Sequence, residues 1–162
     1  MNLWGKIKAD SAVNGELRIK VFLAAFRVAN ASRRFGPLAL PVIAAYKAVS
    51  ASAGIELPSR TRVGVPLQIQ HGFGLVVHGD AVIGNRCVLK QGVTIGIRNN
   101  TGQTPTLGDR VQIGSGAQIL GGITLGDRAI IGAGAIVLDD VPAGAVAFSP
   151  KAVVRFRDQP AA

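Results

Sequence analysis

The chain has 162 residues, 48% of them apolar, which is the length of one domain with a small appendage and enough apolar content to bury a core. Its single cysteine, Cys87, rules out an internal disulfide, and with two histidines there is no zinc-type Cys/His spacing. The net charge of +9 is concentrated in residues 1–62, where ten Lys/Arg face three Asp/Glu, but no helix-turn-helix, RNP or zinc-finger pattern accompanies it, which argues against nucleic acid as a partner.

The first twenty residues lack an apolar signal core and a small-residue cleavage site, so a cytoplasmic protein is expected. Next comes "GELRIKVFLAAFRVANASRR", with apolar residues at helical spacing and basic residues opposite, and then "PLALPVIAAYKAVSASAG", a second apolar helix. Residues 1–54 therefore form a helical N-terminal region. It could cover the open end of the following domain, and its basic apolar character also suits peripheral contact with an anionic membrane at the inner face.

From Leu57 an aliphatic residue recurs every sixth position, at Val63, Ile69 and Leu75. The count then slips by two inside "IQHGFGLVVHGD", residues 69–80, which holds both His71 and His78, and it resumes at Val77, Ile83, Leu89 and Ile95. After an interruption at Thr101 it continues from Leu107 through Ile113, Ile119, Leu125 and Ile131 to Val137. In the Val77 series a small or β-branched residue follows four positions on, at Ala81, Cys87, Val93, Val111, Ala117, Ile123, Ala129, Ala135 and Val141, and Cys87 in that second column is expected to be a packed structural thiol. Period six is neither helical nor a hairpin series. It describes a prism of short parallel strands that turns a corner every six residues and completes a coil in three units. The slip between Ile69 and Val77 predicts a bulged corner at His71, and "IRNNTGQTPT", residues 97–106, predicts a projecting loop. After Val141 the period is lost and a final strand or short helix is expected.

With these features, "GIELPSRTRVGVPLQIQHGFGLVVHGDAVIGNRCVLKQGVTIG" resembles the left-handed β-helix acyltransferases that use acetyl-CoA, and residues 54–154 carry the likeness. It is similar to serine acetyltransferases and more closely, including its helical N-terminus, to exopolysaccharide O-acetyltransferases of the colanic acid type. The fold implied is mainly β, a left-handed parallel β-helix of hexapeptide repeats over residues 55–154 behind the helical region 1–54, with a C-terminal tail at 155–162. The resemblance further implies a homotrimer with active sites between subunits and acetyl-CoA as cosubstrate, with no metal.

By that likeness His71 is the general base, and Glu56, fifteen residues earlier, is the carboxylate that orients it. A backbone N–H at Gly96 or Ile97 would meet the oxyanion, and coenzyme contacts spaced by one coil of eighteen residues would fall at Ser115, Ala133 and Lys151. Gln70 stands where serine acetyltransferases have an acceptor-binding Asp, and Gln103 and Thr104 precede Pro105 where they have Arg-His. Those departures favour a sugar or polysaccharide precursor as acceptor, with exopolysaccharide biosynthesis as the setting. L-serine is the alternative acceptor, and a non-catalytic structural prism a further one. His78 reads as a surface corner residue.

Overall fold

In the computed structural model, residues 1–99, 102–150 and 152–153 are described. Helices α1 (Leu3–Val13), α2 (Leu17–Ser32) and α3 (Leu40–Ala53) come first, with a 3-10 segment at Arg33–Ala39 between α2 and α3. The first helix lies ahead of the amphipathic pattern. Asn2 starts it by accepting the Gly5 N–H at 2.8 Å, and its one buried side chain is polar, Asp10.

The rest is a parallel β-solenoid whose strands build three sheets. One sheet stacks β1 (Ile55–Glu56), β4 (Leu75–Val77), β7 (Thr94–Gly96), β10 (Gln118–Leu120) and β13 (Ile136–Val137). The second stacks β2 (Arg62–Val63), β5 (Val82–Ile83), β8 (Thr106–Leu107) and β11 (Thr124–Leu125). The third stacks β3 (Gln68–Gln70), β6 (Val88–Lys90), β9 (Gln112–Ile113), β12 (Ile130–Ile131) and β14 (Val146–Ala147). The expected prism is present, and both inward columns are buried: Leu89, Ile95, Leu107, Ile113, Ile119, Leu125 and Ile131 in one, Ala81, Cys87, Val93, Val111, Ala117 and Ala129 in the other. The post-period strand is β14, which pairs with β12.

Coil length varies along the axis. Ile55 pairs with Leu75, twenty residues on, because the corner at 71–74 carries the two extra residues. Ile95 pairs with Ile119, twenty-four on, because the chain between β7 and β8 is six residues longer than in a regular coil. Ile113 pairs with Ile131 at the regular eighteen.

The helical region closes the first coil, whose strands would otherwise present unpaired backbone groups. Ile19, Phe22, Leu23 and Phe26 of α2 are fully buried and continuous with Ile55, Leu57, Leu67 and Leu75 below them. Polar side chains meet the edge group by group. Asp10 Oδ1 accepts the Leu67 N–H at 2.9 Å, while Asn14 takes the Ile69 N–H at 2.9 Å and donates to the Leu67 carbonyl at 2.9 Å. Arg27 donates to the carbonyls of Val63 and Gly64 at 2.8 and 2.7 Å, and its Nε pairs with Asp10 at 2.7 Å in a buried ion pair. Asn30 donates to the Ser59 carbonyl at 2.7 Å, and the Tyr46 hydroxyl donates to the Leu57 carbonyl. Burial against this layer holds the Tyr46 phenol well above its usual range.

Candidate active site

The bulged corner at 71–74 sits directly beneath the helical layer. His71 has φ 63°, the left-handed region that few non-glycine residues adopt, and Gly72 and Gly74 follow at φ 68° and 70°. Three contacts hold this backbone. Arg18 of α2 donates to the His71 carbonyl and, at 2.5 Å, to that of Ala53. The Gly74 N–H donates to the Gly54 carbonyl at 2.8 Å. Phe73 lies against Gly54, and the Arg18 guanidinium rests 4.0 Å from the centroid of its ring. Gly54 itself has φ 63°, which ends α3 and turns the chain into β1.

The imidazole of His71 is exposed, and its Nδ1 is 3.2 Å from Glu16 Oε1. Glu16 stands at the N-cap of α2, yet its side chain makes no capping bond. Its second oxygen instead lies 3.4 Å from Arg18. A carboxylate this close to Nδ1 favours the tautomer with its proton on Nδ1, which leaves the Nε2 lone pair as the acceptor. Glu56 is placed differently. It lies on β1 with its side chain exposed, in register with Val76, and its carboxylate makes no hydrogen bond or ion pair to the described residues. The carboxylate at the imidazole thus comes from the helical region and not from the first strand.

His78 occupies the next corner. Its Nδ1 accepts the Asp80 N–H at 3.2 Å, so the ring closes its own turn. Asp80 also pairs with Arg60 at 3.1 Å, which holds its carboxyl below the usual range. Cys87 is fully buried and lies 3.2 Å from the Gly108 carbonyl, and burial pushes its thiol up to about 11.

Below His71 the same corner of successive coils is a ladder of glycines in the left-handed region: Gly74, Gly92, Gly116 and Gly134, at φ 70°, 68°, 69° and 67°. A methyl group at Gly74 would come within 3.6 Å of the Gly92 Cα, and one at Gly92 within 3.5 Å of the Gly116 Cα, so the backbones stack along the axis with no side chains between. Ser115 and Ala133 belong to this corner: Gly134 donates to the Ser115 carbonyl at 2.8 Å, and Gly116 to that of Gln91 at 2.9 Å. Gly96 and Ile97 belong to another corner, after β7, where the Gly96 carbonyl accepts the Gly121 N–H at 2.9 Å. A constant spacing of eighteen from Ile97 therefore does not trace one edge, because the intervening coil is longer by six residues. The counterpart of Ser115 on the preceding coil is Gln91. Lys151 lies outside the described residues.

Comparison with known proteins bears on the chemistry. Residues 104–139 match the family model "Bacterial transferase hexapeptide (six repeats)". The serine acetyltransferase of Synechococcus elongatus is 41% identical over 75 residues, which is 43% of this chain and 30% of that protein. The serine acetyltransferase of Helicobacter pylori is 40% identical over 75 residues, 43% of this chain and 42% of the other. The matched stretch thus covers well under two thirds of these relatives' length. Among solved structures, the soybean serine acetyltransferase apoenzyme aligns with TM-score 0.75 and 34% identity over 83% of this chain and 56% of its own. The Neisseria gonorrhoeae serine acetyltransferase in complex with serine aligns with TM-score 0.75 and 28% identity over 98% and 68%.

These findings correct the expected acceptor. A sugar or polysaccharide precursor, and with it exopolysaccharide biosynthesis, was inferred from Gln70 and from Gln103 with Thr104, but these relatives and structural neighbours are serine acetyltransferases. A few side-chain differences at the acceptor end weigh less than a likeness sustained through the coils. The hexapeptide repeats, the parallel coils they build and these likenesses show a hexapeptide-repeat β-solenoid similar to serine acetyltransferases over the part of those proteins that the chain spans.

Proposed function

We propose that the chain is a serine O-acetyltransferase that moves the acetyl group of acetyl-CoA to the hydroxyl of L-serine. The observation that carries this reading is the His71–Glu16 pair on a corner that continues as a backbone edge bare of side chains, in a chain similar to serine acetyltransferases. His71 Nε2 takes the serine hydroxyl proton while Glu16 steadies the imidazolium that forms. The hydroxyl oxygen attacks the thioester carbonyl carbon to give a tetrahedral oxyanion. When the oxyanion collapses, the carbon–sulfur bond breaks and the imidazolium returns its proton to the departing thiolate, so that O-acetylserine and free coenzyme A leave. The transfer is direct and its proton balance closes on one histidine.

The glycine ladder at 74, 92, 116 and 134 suits the pantetheine arm, because an extended chain can lie against stacked backbone with no side chain in the way. Ser115 and Ala133 offer backbone groups beside it. In the homotrimer proposed here, the Gly96–Ile97 corner of one protomer approaches the His71 corner of its neighbour and supplies the oxyanion N–H. Gln70, half-buried on β3 beside the base, offers an amide oxygen to the substrate ammonium, and its register partner Lys90 puts a cation one coil away, of the sign a substrate carboxylate needs.

The test is acetyl transfer to L-serine, followed as free thiol released from acetyl-CoA. The parent protein should release thiol only with serine present, and His71→Ala should lower kcat by about 10² to 10⁴ while the circular dichroism spectrum is unchanged. Unchanged turnover in that variant, or no turnover by the parent, would sink the reading.

A further inference from the structure

The segment joining α2 to α3 presents an apolar, cationic surface that the acetyl-transfer reading does not use. Phe35 is 55% exposed, Leu38 82% and Leu40 63%, all within eight residues of the 3-10 segment and the start of α3, with Val42 exposed beside them. Such residues are expensive to leave in water unless something covers them. Arg33 and Arg34 are exposed at the head of the same segment, and the Arg34 guanidinium lies 4.7 Å from the centroid of the Phe35 ring. Lys47 is exposed seven residues beyond Leu40 on α3, two turns along, and so shares its face.

Charge decides what the surface fits. Residues 17–55 contain six Lys/Arg and no Asp or Glu. Arg33, Lys47 and Arg60 line one cavity of about 530 Å³ with Leu40 and Ile43, against a single carboxylate, Glu56. A second copy of the chain docking the same face would bring Arg33 and Arg34 against their own equivalents in a molecule of net charge +9, which electrostatics opposes. A bilayer with anionic headgroups offers both needs at once, an apolar layer for Phe35 and Leu38 and phosphates for the arginines. The stretch Leu17–Ala53 is long and apolar enough to cross a membrane, but Ile19, Phe22, Leu23, Phe26 and the ion-paired Arg27 are seated on the first coil, which favours surface docking over spanning. We infer that the Arg33–Lys47 face docks on an anionic lipid surface, with Phe35 and Leu38 inserted at the interface and Arg33, Arg34 and Lys47 at the headgroups.

Co-sedimentation of the full chain with vesicles tests this. Binding is expected to vesicles of phosphatidylcholine mixed with phosphatidylglycerol, to weaken as salt is raised, and to be much poorer with phosphatidylcholine alone. Arg33→Gln with Arg34→Gln should weaken partitioning by about fivefold for each cation removed. Phe35→Ser with Leu38→Ser should abolish it at moderate salt, with helical circular dichroism and melting temperature as checks on folding. The proposal is overturned if neutral and anionic vesicles bind equally, if neither binds, or if both double variants pellet like the parent. It is also overturned if the Phe35→Ser, Leu38→Ser variant lowers the mass seen by sedimentation equilibrium, since a second copy would then be the occupant.

Discussion

In the proposed mechanism His71 is oriented by Glu16, a carboxylate fifty-five residues earlier in the chain that lies 3.2 Å from its Nδ1. Glu16→Gln should therefore lower kcat by about tenfold or more, a part of what the base supplies, with little change in KM for acetyl-CoA. Glu16→Asp should recover some of the loss, and Glu56→Gln should have the smaller effect, because Glu56 makes no contact with the imidazole within the chain. Steady-state kinetics of the three variants checks this ordering. The candidate base was legible from the phase slip at residues 69–77, since a strong repeat broken beside a histidine marks a corner shaped for something other than packing. Its partner was not. No periodicity links a helix N-cap to a solenoid corner, and the fifteen-residue spacing to Glu56 is a matter of sequence likeness that α2 supersedes in space. Cys87 was legible from its column, and its burial has a pH signature. Its folded-state thiol is raised to about 11 while an unfolded thiol ionises at about 8.5, so the stabilisation it gives is complete below that lower value and is lost as pH rises towards the upper one. Ellman's reagent at neutral pH should leave the native thiol unmodified and label it once the chain is unfolded.

At the scale of the elements, the six-residue period foretold strand, turn and inward column because each coil repeats one physical problem, a tight corner around a narrow core. It foretold the edges less well. Adding eighteen repeatedly to Ile97 assumes equal coils, and the twenty-four-residue step from Ile95 to Ile119 moves the count onto a different corner. The groove is better traced by the glycines, whose positive φ recurs at 74, 92, 116 and 134 whatever the coil length. Gly92→Ala tests that tracing. The new methyl group makes only an ordinary contact at 3.5 Å with the Gly116 Cα, so the cost to folding is the left-handed backbone, about 1 kcal/mol. The larger effect should be a raised KM for acetyl-CoA with kcat little changed, because the methyl stands in the path of the pantetheine arm.

For the molecule as a whole, the junction between helices and solenoid is polar where it meets strand edges and apolar at its centre. Sequence reading placed a cover there from the apolar pattern of residues 15–54, but not the pairing of Asp10 with Arg27, since neither charge is distinguishable in sequence from a solvated one. Arg27→Leu should destabilise the protein by roughly 3 to 5 kcal/mol in urea unfolding, because it strands Asp10 as a buried charge and leaves the Val63 and Gly64 carbonyls without their donor.

The location of Glu16 and Arg18 on the helical layer has one more consequence. The coils hold one another through backbone ladders, whereas the layer is joined to them by side chains, so partial opening at that seam can occur while the prism stays folded. Such opening withdraws Glu16 from the ring and Arg18 from the backbone of the base in a single event. Under mild denaturant, turnover should disappear before the β-sheet signal does, and anything that pins or loosens the layer should act as a throttle on the proposed chemistry at the corner directly beneath it.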